Sequence, residues 1–316
     1  MKSIASAPGK IILFGEHFLV YGIKGILCSI DKRITATSQI LDEKVVRVKS
    51  SLGNSEMNLD SLNLEKVPLK FMKPFFYVAK KAIEENSIKS GIEIILESQI
   101  PPGVGLGSSS AACVAAAASV NGLFKKLSKN DIAVTALEAE RTIFEKNSGA
   151  DSSVSTFGGL MSYDLKNGFR NIQSRDNLSF IISDSAQVHD TREVVRQVQN
   201  FKEKNTEIFK KLCEREVEIV NSAIMALEEN NLNKLGSLML QNHDLLRQIG
   251  VSTEKIDLIV GEAKKTAYGS KITGAGGGGC SISLVDDSNM KDTMDILNKL
   301  SNCFVAKVDY NGLQYE

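Results

Sequence analysis

The chain has 316 residues, enough for one large or two medium domains, with two favoured. Hydrophobic residues at 42% and charged residues at 24% match an ordinary globular protein and exclude a fibrous or largely disordered one. The 38 basic and 38 acidic side chains cancel, so no global field draws the protein to nucleic acid or an anionic membrane, and any anion has to be bound locally.

The opening MKSIASAPGK has no signal-peptide character, and the longest apolar run, near 111–120, is shorter than the ~18 residues of a membrane span. A cytoplasmic location is expected. Five widely spaced cysteines (Cys28, Cys113, Cys213, Cys280, Cys303) form no CxxC pair, which fits buried thiols in a reducing compartment rather than a disulfide framework or zinc site.

Residues 1–50 read as strands at 10–20, 26–40 and 45–50, dense in β-branched residues and broken by Gly22, Gly25 and Asp31. A helix is predicted over 72–86, a strand over 91–100, and a helix from 111 that follows the loop PPGVGLGSSS. Another helix is predicted from Ser128, where Ser128 and Asp131 make an S-x-x-D capping signal, to about Asn147, with Gly149 ending it. Strand character returns at 158–165 and 180–186. Helical periodicity then dominates from 190 to 267, followed by a strand pair around 271–285, a helix at 289–300 and a last strand at 303–310. This alternation indicates a mixed α and β class, with a domain boundary near 165–180.

Five segments carry chemistry. In 101–112 (PPGVGLGSSSAA), glycines between a strand and a helix let the backbone approach a ligand, and the unpaired amides at the helix start make an anion site; serine hydroxyls can add contacts to phosphate or a hard metal ion. A capped structural loop is the plainer reading. It is not a Walker loop, lacking GKS or GKT, and Ser108 breaks the dinucleotide pattern. In KITGAGGGGC, GxGxxG does occur at Gly274, Gly276 and Gly279, but a strand follows where a dinucleotide site needs a helix. Close backbone packing against a loop or a ligand is expected there instead.

Glu140 falls within an apolar helical stripe of Ala133, Ala136, Leu137, Ile143 and Phe144, so it points inward and needs a partner: a metal ion, an internal cation or a solvent opening. Asp151, after Gly149, is either a helix cap or a base for a hydroxyl proton. Glu16 and His17 interrupt the strand that Lys10 begins, and they sit at its exposed end or face a pocket.

Together these segments resemble the GHMP kinase superfamily. SAPGKIILFGEH is similar to its first signature, PPGVGLGSSSAA to the second and KITGAGGGGC to the third, in the same order and across nearly the whole chain. LFGEHFLVYG, ERTIFEKNSGADSSVSTFGG and LMLQNHDLLRQIGVS are most similar to the mevalonate kinases within it. Two departures are Ser110, where alanine is common, and Phe18-Leu19 in place of a smaller pair, which bears on the acceptor pocket.

The resemblance implies an α+β, two-domain fold with an N-terminal mixed α/β domain over 1–175, a ferredoxin-like C-terminal domain over 176–316, and a site in the cleft between them. It implies ATP and Mg2+, with the loop from Pro102 through Gly103, Val104, Gly105, Leu106, Gly107, Ser108 and Ser109 to Ser110, together with Lys10, holding the nucleotide phosphates. Ser109 and Glu140 would hold magnesium. Asp151 would be the base for the C5 hydroxyl of mevalonate, and Lys10 would orient Asp151 and neutralise the transferred phosphoryl group. Glu16, His17, Thr191 and Gly276 would contact the acceptor. It implies a small-molecule partner, with neither nucleic acid nor membrane, and allows a homodimer. A related acceptor (phosphomevalonate, another mevalonate hydroxyl or a sugar) and a non-catalytic ATP and metabolite sensor are the competing readings; retention of Lys10, Ser109, Glu140 and Asp151 together opposes the sensor.

Overall fold

The computed structural model describes residues 1–145, 147–174, 177–188 and 190–316. The strands are β1 (Lys2–Phe14), β2 (Gly25–Leu41), β3 (Val45–Ser50), β4 (Gly53–Asn58), β5 (Gly91–Ser98), β6 (Leu160–Asp164), β7 (Gly168–Ile172), β8 (Ser179–Asp184), β9 (Gly269–Ile272), β10 (Cys280–Val285), β11 (Asn302–Lys307) and β12 (Gln314–Tyr315). The helices are α1 (Lys73–Glu85), α2 (Ser108–Gly122), α3 (Lys129–Arg141), α4 (Ala150–Phe157), α5 (Thr191–Lys204), α6 (Thr206–Glu228), α7 (Leu232–Gln248), α8 (Glu254–Ala263) and α9 (Met290–Leu297).

Eight strands form one sheet in the order β12-β1-β2-β5-β3-β4, with β6 paired to β2 and β7 to β6; four form a second, antiparallel sheet in the order β11-β8-β10-β9. The α+β class expected from the sequence is what the chain adopts. The boundary placed between 175 and 176 lies outside the described residues. The chain also crosses back, since β12 pairs Ala5 with Tyr315 and Ser6 with Gln314.

Helix α2 is the centre of the first half. Its alanines are so small that the helix sits tightly among β1, β2, α1, α3 and α4, and residues 110–121 are all buried. That packing fixes the start of α2, and with it the glycine loop, against β1. Gly9 is needed at this junction, because a Cβ there would lie 2.8 Å from the Leu106 carbonyl oxygen, which accepts the Lys10 amide at 2.9 Å.

Three expectations are corrected. The strand expected over 10–20 instead runs from Lys2 to Phe14, with Lys10 inside it; Gly15 and His17 take positive φ (97° and 62°), and 19–21 form a 3-10 turn. Helix α3 stops at Arg141 rather than 147, because the Thr142 hydroxyl donates to Ala139 O and Asn147 folds back to donate to Glu140. The short strands β4 and β7 were not expected, because they are mostly exposed and too polar to show an apolar alternation. Among the described residues no helix is long and apolar enough to cross a membrane.

Candidate active site

Strand β5 leads into the loop 99–107, in which Gly103, Gly105 and Gly107 all have φ between 72° and 80°, while Val104 and Leu106 turn inward as apolar anchors. This alternation presents backbone outward between buried side chains, as the glycine pattern predicts. Gly107 caps α2 without any side-chain bond. The first-turn amides at Ser108 to Ser110 therefore have neither an intrahelical partner nor a cap, and the helix dipole adds partial positive charge. A Cβ at Gly107 would fall 2.7 Å from Lys10 Cγ, so the glycine also makes room for that lysine.

Lys10 Nζ lies 3.2 Å from Asp151 Oδ2, with the lysine buried and the aspartate partly open. Asp151 sits in the first turn of α4, whose N-cap is Gly149, so the capping alternative for Asp151 is not what the helix uses. Both residues line a cavity of about 600 Å³ together with Glu16, His17, Gly103, Gly105, Leu106, Gly107, Ser108, Ser109 and Thr191. Thr191 reaches it from the start of α5, which Asp190 caps by accepting the Arg192 amide at 2.8 Å.

A second cavity of about 720 Å³, walled by Ile34, Leu52, Phe71, Phe75, Leu96 and Pro102, shares Gly103, Ser108, Ser109 and Phe144 with the first. The glycine and serine loop thus stands between an apolar chamber and a charged one.

Glu140 is buried at 2% exposure, and its carboxylate accepts from Ser110 Oγ at 2.6 Å, Ser152 Oγ at 2.6 Å and Asn147 Nδ2 at 3.0 Å. The inward orientation read from the helical wheel is present, although the buried face runs through Ile132, Thr135, Ala136 and Ala139, one position off the predicted stripe. Burial raises the Glu140 pKa, and the Asp151 charge adds to the rise. Among the described residues it has no ion-pair partner. Ser110 and Val104 are likewise buried and line neither cavity.

Gly276, expected beside the acceptor, packs elsewhere: at φ 78° a Cβ would lie 2.3 Å from the Val251 carbonyl oxygen, and Gly274 and Ala275 supply the cavity wall. Phe18 is fully buried and stacks on Phe209 with ring centroids 5.9 Å apart, beneath the acceptor side rather than on its surface.

Sequence reasoning missed the layer below. Lys271, fully buried in β9, donates to Glu16 Oε1 and, at 2.6 Å, to Ile272 O. Glu216 on α6 accepts the Gly15 amide at 3.0 Å and the Asn242 side-chain amide at 2.7 and 2.8 Å. His17 Nε2 stands 2.6 Å from Ala275 O, and Thr273 Oγ1 donates to Ile12 O while accepting the Ile12 amide. Burial raises the Glu16 pKa and lowers those of Lys271 and His17. The signal was available: Glu216 lies on the same helical face as Leu212, Ile219 and Val220, the pattern that exposed Glu140, and Lys271 interrupts an otherwise small and apolar strand.

The description GHMP kinases N terminal domain matches residues 74–159, and GHMP kinases C terminal matches 223–301. The mevalonate kinase of Archaeoglobus fulgidus is 34% identical, with 99% of each chain covered. The chain belongs to the mevalonate kinase family of GHMP kinases. Among solved structures, the Methanococcus jannaschii mevalonate kinase superposes with a TM-score of 0.87 at 28% identity, covering 97% of this chain and 98% of that one. L. major mevalonate kinase in complex with R-mevalonate gives 0.80 at 25% identity, covering 98% and 96%. This GHMP kinase therefore carries the family's fold from end to end, and the three signatures that suggested it meet around one cavity.

Proposed function

We propose that this protein is an ATP-dependent mevalonate kinase that transfers the γ-phosphoryl group to the C5 hydroxyl of (R)-mevalonate, giving 5-phosphomevalonate and ADP. The observation that carries the reading is the Lys10–Asp151 pair, set in the same cavity as the uncapped start of α2. The α2 amides and the loop glycines bind the phosphates. The apolar chamber beside them suits a flat, weakly polar base, which assigns Ile34, Leu52, Phe71 and Phe75 to the nucleoside end.

Asp151 accepts the proton of the attacking hydroxyl as the new O–P bond forms, and the bond between the γ-phosphorus and its bridging oxygen breaks with its electron pair leaving on ADP. Lys10 holds Asp151 by its ion pair and offsets negative charge on the phosphoryl oxygens. Glu16, His17 and Thr191 shape the acceptor side. Most of the rate comes from positioning and counter-charge, because phosphoryl transfer asks for little covalent help.

The residues fit a magnesium ion. Glu140 is a buried carboxylate whose hydrogen bonds among the described residues all come from neutral donors, and Ser109 lines the cavity at the start of α2, so the set is all oxygen and short of positive charge. Glu140 and Ser109 would hold the ion with phosphate oxygens, and it would supply charge neutralisation there.

The domain division at 175/176 is part of the same proposal. It is supported by β7, which ends at Ile172 in the first sheet, and β8, which begins at Ser179 in the second. ADP release measured over mevalonate, phosphomevalonate, homoserine and galactose, with the phosphorylated position read by NMR, tests the function; turnover of another acceptor in preference to mevalonate would overturn it.

A further inference from the structure

The segment after β11 leaves the second sheet and returns to the first half of the chain, where Asp309 is its point of attachment. All of the polar atoms of Asp309 are engaged. Its amide donates to Ser29 O at 3.1 Å, and its carbonyl accepts the Ser29 hydroxyl at 2.6 Å and the Gly159 amide at 2.7 Å. Its carboxylate pairs with Arg33 through Oδ2 and accepts the Asn311 and Gly312 amides through Oδ1, both at 2.9 Å. Arg33 in turn donates to Ser6 O at 2.8 Å and to Gly312 O at 2.7 Å, closing the loop 309–312. Leu313 then donates to Thr156 O at 2.9 Å.

These contacts converge on the two elements that carry the Lys10–Asp151 pair. Ser29 is the β2 residue opposite Lys10 in the β1–β2 register. Thr156 lies in the last turn of α4, a helix of eight residues and about 12 Å whose first turn holds Asp151. Gly158 and Gly312 let the two backbones touch: a Cβ at Gly312 would lie 2.4 Å from Thr156 O, and one at Gly158 would lie 2.5 Å from the Gly312 amide nitrogen. The Arg33–Asp309 pair is largely withdrawn from water, at 15% and 7% side-chain exposure, so it acts as a fixed brace rather than a surface ion pair. A helix of two turns moves as a unit, and a shift at Thr156 reaches Asp151. Phosphoryl transfer tolerates little such movement, since a misplacement of about 1 Å can cost about 100-fold in rate.

We propose that Asp309 is a positioning residue for phosphoryl transfer, bracing β2 against the far end of α4 and so holding Asp151 in place beside Lys10. Asp309 lines neither cavity and acts through Asp151. The inference rests on the reading of Asp151 as the proton acceptor.

The test is Asp309→Asn, assayed with mevalonate and ATP. Asparagine keeps an oxygen for the 311 and 312 amides and removes the charge that holds Arg33. A fall in kcat of about 10-fold is expected, with KM for ATP within about 2-fold. The deciding comparison is made in the Asp151→Asn background. Residues that act as a unit are not additive, so D309N is expected to lower kcat there by less than about 2-fold. Lost stability reduces the amount of active enzyme by the same factor in both backgrounds, so an equal fall in both would overturn the proposal, as would wild-type kcat in D309N alone. Where the lone Arg33 charge keeps D309N from folding, the double variant R33M/D309N removes both charges and is held to the same two results. Failure of the underlying reading looks different, since Asp151→Asn by itself would then keep wild-type kcat, or wild-type enzyme would release no ADP with mevalonate.

Discussion

Lys10 and Asp151 come from opposite ends of the first half of the chain, one from β1 and the other from the first turn of α4, and they meet at 3.2 Å where the α2 amides open into the cavity. In the proposed mechanism a lysine so placed serves the aspartate and the phosphates at once. Asp151→Asn keeps the shape and removes the proton acceptor. The expected result is a fall in kcat of about 100-fold or more, with the dissociation constant for ATP changed by less than about 3-fold. Wild-type kcat in the purified variant would remove Asp151 from the mechanism.

Glu140 makes the second prediction. Its three donors hold the carboxylate in place but leave its charge uncompensated among the described residues, beside the equally negative Asp151. Glu140→Gln is expected to raise the magnesium concentration needed for half-maximal rate by about 10-fold or more. If the magnesium titration of the variant overlays that of the wild type, Glu140 serves only to tie Ser110 and Ser152 together.

What the sequence shows and what it hides divide along physical lines. The glycine and serine loop and the mixed α and β class were legible because each leaves a local mark, unusual glycine density in one case and alternating periodicities in the other, whereas Lys10 and Asp151 were given their roles by the family resemblance, since a lysine inside a strand and an aspartate near a helix start leave no mark of their own. The end of α3 was not, since the side chain that stops it, Asn147, acts by folding back on Glu140. The ion pair of Glu16 with Lys271 joins β1's exit to β9, and no local pattern encodes a partner that far along the chain. Gly276 illustrates the same limit: its glycine requirement was clear, and what it packs against, the Val251 carbonyl, is a tertiary fact.

That contact gives a third prediction. At φ 78°, with Val251 O 2.3 Å from an added Cβ, Gly276→Ala meets both backbone strain and a backbone clash that no side-chain rotation relieves. A loss of roughly 2–4 kcal/mol is expected, visible as a lower urea midpoint. An unchanged midpoint would mean that the 274–279 loop can move, and that its packing on Val251 does not constrain it.

Two buried groups next to the Glu16 layer make opposite contributions to pH dependence. Burial pushes Glu216 up from an ordinary 4.5 to about 7, so between these values the folded state keeps a proton that the unfolded chain has lost, and stability falls as pH rises. Burial drives His243 down from 6.5 to about 4, so the unfolded chain binds the extra proton and stability rises over that interval. In the wild type the two trends oppose each other between pH 4.5 and 6.5, leaving Glu216 alone above that. Glu216→Gln should fit, because the new amide N–H can serve Asn242 Oδ1, which now lacks a partner among the described residues. With the carboxyl gone, only the His243 trend remains of the pair. Urea melts at pH 5 and pH 8 should therefore show the Gln variant gaining on the order of 2–3 kcal/mol relative to wild type as pH rises. Parallel stability curves for the two proteins would mean that Glu216 is ionised in the fold across this range, with Lys271 and the Gly15 amide already balancing its charge.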